Sequence, residues 1–155
     1  MITNNFQGGL FECVREISLF DEQPFEHEFF LLIAQSFLLI KKLTLNNQKP
    51  RKNKQYTKSK DDEQDFSIIK YSHLIYLNLY EAHEDYIELF LDHTKTYLPN
   101  NMDLAIDYEL LKKATHNFKR NTIRINCSKI NYLYSSTLYS LSKHLKHYFL
   151  HIREI

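Results

Sequence analysis

Apolar residues recur at three- and four-residue steps along much of the chain, and that spacing predicts helices. The longest stretch covers residues 66–98, where Ile69, Tyr76, Leu79, His83, Tyr86, Phe90 and Tyr97 form a stripe that Pro99 ends. At a rise of about 1.5 Å per residue such a helix is roughly 50 Å long, or is kinked into two. A last helix is expected over residues 128–152. Ser128 caps it, and Ile130, Leu133, Leu138, Leu141, Leu145, Tyr148 and Ile152 are its stripe.

Residues 29–40 are almost continuously apolar, with only Gln35 and Ser36 inside, and Glu26, Glu28, Lys41 and Lys42 close the run. It is well short of the roughly 18 apolar residues that cross a bilayer, so a central helix is expected and no transmembrane segment. A short amphipathic helix at residues 10–20 precedes it. A fourth long helix starts at Asn100 or Asn101. Asp103 and Asp107 lie near its start and Lys112, Lys113, Lys119 and Arg120 toward its end, which complements the helix dipole. Residues 122–127, TIRINC, alternate β-branched and polar side chains and are expected to link helices in extended form. Residues 46–64 have no periodicity and switch from basic to acidic, as a flexible charged loop does. No internal repeat is apparent. The expected fold is all-α: one domain, residues 1–155, built as an antiparallel bundle of four main helices plus a short N-terminal helix.

Composition strengthens that expectation. Only 2 Gly and 3 Pro are present, and a strand-rich fold draws on both for its turns. The apolar share of 43% is that of a globular chain, and a formal net charge of +1 gives no global field for nucleic acid or an anionic membrane. Two cysteines, Cys13 and Cys127, are too few and too far apart for a disulfide framework or a zinc site. Buried thiols in a reducing compartment are expected. The start lacks a basic region followed by an apolar run, so the expected location is cytoplasmic.

Candidate chemistry is sparse. His144, His147 and His151 share a flank of the expected last helix, but a metal site needs further ligands aimed into the same space. The nearest carboxylates, Glu81, Asp85, Glu88 and Asp92, recur at steps of four, three and four, opposite the apolar stripe. No metal and no cofactor are therefore expected. His83, within the stripe, reads as a buried, hydrogen-bonded side chain. Nucleophile-elbow, phosphate-loop and His-Glu-x-x-His motifs are missing, so no catalytic residue is assigned.

What remains is binding. Phe29, Phe30 and Phe37 on the apolar helix and the outward acidic strip Glu81, Asp85, Glu88 and Asp92 are the protein-interaction candidates. Lys112, Lys113, Lys119, Arg120 and Arg124 are the nucleic-acid candidates, joined by the lysine-rich loop. The expected function is a non-catalytic helical protein-interaction module: an adaptor, chaperone, immunity protein or small subunit, bound to another protein or to its own copy. A nucleic-acid-associated subunit is the alternative, and a helical enzyme using a histidine comes third.

Overall fold

A computed structural model describes residues 1–52, 67–135, 145–149 and 151–154. The elements follow as β1 (Glu16–Phe20), α1 (His27–Ser36), β2 (Lys42–Asn47), β3 (Ile69–Lys70), β4 (Tyr76–Ala82), α2 (Glu84–Leu91), β5 (Thr96–Tyr97), β6 (Met102–Ala105), α3 (Tyr108–Ala114), α4 (Asn121–Ser128), β7 (Ile130–Ser135), a 3-10 turn (Leu145–His147) and β8 (Ile152–Glu154). The protein is mixed α/β. The expected all-α helical bundle is wrong, and so are its longest parts. Residues 67–98 break into strand, strand, helix and strand, and TIRINC is the body of α4. β7, a 3-10 turn and the first residue of β8 fall within the expected last helix, whose residues 136–144 and 150 are outside the described residues.

β1, β2, β4, β6, β7 and β8 lie side by side in chain order, and each neighbouring pair is parallel. β3 and β5 form a second, two-stranded parallel sheet just ahead of β4 and β6. The chain therefore advances by one strand per turn of strand and return segment. The register aligns Ile17, Leu43, Leu77, Leu104, Leu133 and Ile152 across the sheet, one rung per strand. Leu19, Leu45, Leu79 and Ile106 add a second buried set two residues further along. Successive side chains alternate between the faces of a strand, so these two sets lie on one face of the sheet.

The helices cover that face. Phe30 and Ile33 of α1, Tyr86, Ile87 and Phe90 of α2, Leu111 of α3, and Ile123 and Cys127 of α4 all join the strand residues in one core. The Phe30 ring meets Tyr86 and Phe90 edge-on at 5.9 and 5.2 Å, and Tyr71 stacks on Phe90 at 5.9 Å. At the β1 edge, Ile2 pairs with Leu19, giving its N–H to Ser18 and accepting from Phe20, which shields an otherwise open strand.

Turns are made without glycine. Asn101, His116, Asn117 and Phe118 all have positive φ, between 50° and 62°. Asparagine tolerates the left-handed region better than most side chains. At His116 and Phe118 the conformation is held from outside: the Thr115 hydroxyl accepts the Phe118 N–H at 3.1 Å, and the Phe118 ring packs against Tyr148. Few glycines thus meant unusual turns rather than few turns.

Candidate binding face on the parallel sheet

Among the described residues no helix lies over the other face of the sheet. Its first row runs Glu16, Lys42, Tyr76, Asp103 and Tyr132 across the strands. Ser18, Thr44, Asn78, Ala105 and Tyr134 form the second, and Phe20, Asn46 and Glu81 the third. Between Thr44 and Asn46 the pairing with β4 slips, so that Tyr80 and Glu81 both come to the surface. Such irregularities re-aim side chains, and they recur next to binding sites. Here the Asn78 side-chain oxygen accepts the Tyr80 N–H at 3.0 Å and holds the bend.

The polar side chains of this face contact one another. Lys42 pairs with Glu16 at 2.7 Å, Asn46 donates to Glu81 at 2.5 Å, and the Tyr134 hydroxyl lies 3.5 Å from Asp103 Oδ2. Both partners of the Glu16–Lys42 pair are about half exposed or more, so its net worth is small. Tyr132 lies 6.3 Å from the Tyr134 ring and 5.4 Å from His151. Partial burial pushes the Tyr76 phenol above its ordinary 10.0, the Tyr134 and Asp103 charges add to this, and Lys42 opposes it. It is therefore a neutral hydroxyl at physiological pH. A hollow of about 360 Å³ opens over Thr44, Asn78, Tyr80 and Ala105, and a second of about 540 Å³ reaches Glu16 and Ser18. The two share Thr44 and Tyr76, and the second is closed on its far side by Ile2, Phe6, Phe11 and Phe37.

The residues singled out from sequence are distributed differently. Phe30 and Phe37 are buried, Phe37 stacking with Phe6 and Phe11, and half-buried Phe29 stacks on Phe25. The acidic residues do not share a helix face: Glu81 is on β4, Asp85 and Glu88 are on α2, and Asp92 is its C-cap. Asp85 accepts the Arg51 N–H at 2.9 Å and lies 3.3 Å from His83 Nδ1. Arg120 joins the acidic and basic sets, reaching Glu88 at 3.1 Å and buried Asp92 at 3.3 Å. Burial alone would raise the Asp92 carboxyl. The Thr94 hydroxyl and N–H, with the Lys95 and Arg120 charges, outweigh it and hold the group below its ordinary 3.8.

Lys112 and Lys113 lie in the last turn of α3, Lys119 is exposed, and Arg124 of α4 sits over the Tyr148 ring at 5.4 Å. His83 is the N-cap of α2, not a core residue of a long helix. His147 and His151 are exposed, in a 3-10 turn and ahead of β8, and His144 is outside the described residues. Cys127 is buried, which pushes its thiol up, but Cys13 is exposed. Of the expected charged loop, Asn46 and Asn47 belong to β2 and residues 53–66 are outside the described residues. Among the described residues no group of three or more His, Cys, Asp or Glu could hold a metal ion, and no helix is long and apolar enough to cross a membrane.

Comparison with protein-family models, curated proteins and solved structures gives no match for this chain.

Proposed function

We propose that the protein is a short solenoid of strand–helix units that binds a partner protein across the open face of its sheet, without catalysis. One observation carries this reading: a six-stranded, wholly parallel sheet whose described helices lie over only one face. All-parallel sheets ordinarily have both faces covered. A solenoid that returns along one side leaves the other as an extended binding surface.

The composition of the face fits that use. Ser18, Thr44 and Asn78 keep it wettable, while Tyr76, Tyr80, Tyr132 and Tyr134 offer large contact area at low conformational-entropy cost. The nucleic-acid alternative is weaker, because Arg120 is committed to two carboxylates. Two free cysteines fit a reducing, cytoplasmic setting.

Photo-crosslinking tests the reading. Benzoylphenylalanine is placed at Tyr80 on the open face or at Lys113 on the outer surface of α3, and cells expressing each variant are irradiated. The expected result is a discrete protein adduct from Tyr80 and none from Lys113. No adduct from Tyr80, or equal adducts from both positions, would overturn it.

A further inference from the structure

One group on the open face stands out for its charge. In the first row Asp103 lies between Tyr76 of β4 and Tyr132 of β7, and the Tyr134 hydroxyl approaches its carboxylate. Asp103 is half-buried. Among the residues whose side chains are described, no lysine, arginine or histidine lies within ion-pair distance of it. The described lysine of this face, Lys42, is engaged by Glu16. Along β1 to β7 Glu16, Glu81 and Asp103 stand against Lys42, and Arg153 of β8 is in register with Tyr134, so these rows carry one more negative than positive charge.

We propose that Asp103, flanked by Tyr76, Tyr132 and Tyr134, is the seat for a cationic side chain that an extended segment of the partner protein presents. The proposal rests on the reading of the open face as the partner-binding surface, and it names what that surface recognises. A carboxylate supplies the counter-charge and hydrogen-bond acceptors for an ammonium or guanidinium group. Tyrosine faces add cation–π attraction. Arginine suits the seat better than lysine, since its planar group can stack on a ring while donating two parallel N–H bonds to the carboxylate.

The width of the open face sets the length of the segment. Strands are spaced about 4.8 Å apart, so a chain crossing from β1 to β7 covers roughly 19 Å, or about six extended residues. A phosphate-bearing partner would instead meet like charge along this path.

The test is an NMR titration of the isotope-labelled full chain with N-acetyl-arginine amide, its neutral isostere N-acetyl-citrulline amide, N-acetyl-lysine amide and inorganic phosphate. Arginine amide is expected to bind with a dissociation constant of about 1–10 mM, as a single seat does. Its shifts should centre on Tyr76, Asp103, Tyr132 and Tyr134. Lysine amide should bind more weakly, citrulline amide at least tenfold more weakly, and Asp103→Asn should reduce arginine binding at least tenfold.

Equal binding of arginine and citrulline amides overturns the seat on the unmodified protein, whether or not Asp103→Asn folds. Shifts confined to other residues, or phosphate moving these residues where arginine does not, also overturn it. The Tyr80 crosslink separates the two readings. An adduct that persists undiminished in Asp103→Asn keeps the face and removes the seat, whereas no adduct in the unmodified background removes both.

Discussion

Leu104→Ala is expected to cost about 3–5 kcal/mol of folding stability. Leu104 is fully buried and is the central rung of the ladder, aligned with Leu77 on one side and Leu133 on the other. Both neighbours are held by their own strands, and the helices above are packed against the same core, so the site cannot collapse to fill the space. The loss is a large part of the roughly 5–15 kcal/mol that holds a domain together. Ser18→Ala, on the open face, is the control and should stay within about 0.5 kcal/mol. Urea unfolding followed by circular dichroism measures both. Equal losses at the two positions would mean that the faces of the sheet have been assigned wrongly.

Asn126→Leu should remove about 2–4 kcal/mol, as two buried carbonyls lose their donor. Asn126 is fully buried on α4, and its side-chain amide donates to the Thr96 carbonyl at 2.8 Å and to the Phe90 carbonyl at 3.2 Å. Phe90 is in the last turn of α2, where carbonyls lack donors from their own helix. A single amide from α4 thus closes the end of α2 and fixes the start of β5. Leucine shares the branched outline of asparagine but is larger, so the change removes the donors and adds some crowding of its own. A loss below about 1 kcal/mol in the same unfolding measurement would show that water or a shifted backbone satisfies these carbonyls instead.

Parts of this architecture were legible in the sequence. The apolar run at residues 29–40 does contain most of a helix, α1, and Asp107 with Lys112 and Lys113 marks both ends of α3. Many positions assigned to a core stripe are core, among them Leu79, Tyr86, Phe90, Leu133 and Tyr148, whereas Phe30 and Phe37, expected as interaction residues, are buried.

The stripe along residues 66–98 is an alias. In it Tyr76 and Leu79 belong to one strand but opposite faces, His83 is a helix cap, and only then do Tyr86 and Phe90 sit on a helix. Short strands alternating with short helices place apolar residues three or four apart by accident of joining. The truer signal was the apolar–x–apolar triplet: Ile17-Ser18-Leu19, Leu43-Thr44-Leu45, Leu77-Asn78-Leu79 and Leu104-Ala105-Ile106. Its intervals are uneven, because return segments of different length join the strands, and that hid the repeat.

The binding face was hidden for a related reason. Its side chains come from five strands far apart in sequence, and they become neighbours only through the parallel register. Of the residues picked for protein interaction, Glu81 lies on this face, and it was picked for a place on a helix that does not exist. Asp85, Glu88 and Asp92 are occupied locally by Arg51, His83 and Arg120. A charge pattern read along one chain segment cannot anticipate partners brought in by another.

Among the described residues one face of the parallel sheet carries no helix, and tyrosine nitration mapped by mass spectrometry tests the openness of that face most directly. A helical stripe buries Tyr76 and Tyr86 together, whereas the coil separates them: Tyr76 faces solvent in part, and Tyr86 is fully buried. Under native conditions Tyr76, Tyr80, Tyr132 and Tyr134 are expected to be modified, and Tyr71 and Tyr86 to stay protected until the protein is unfolded. Protection of Tyr76 and Tyr86 alike, with the β7 tyrosines also unreactive, would contradict the open face.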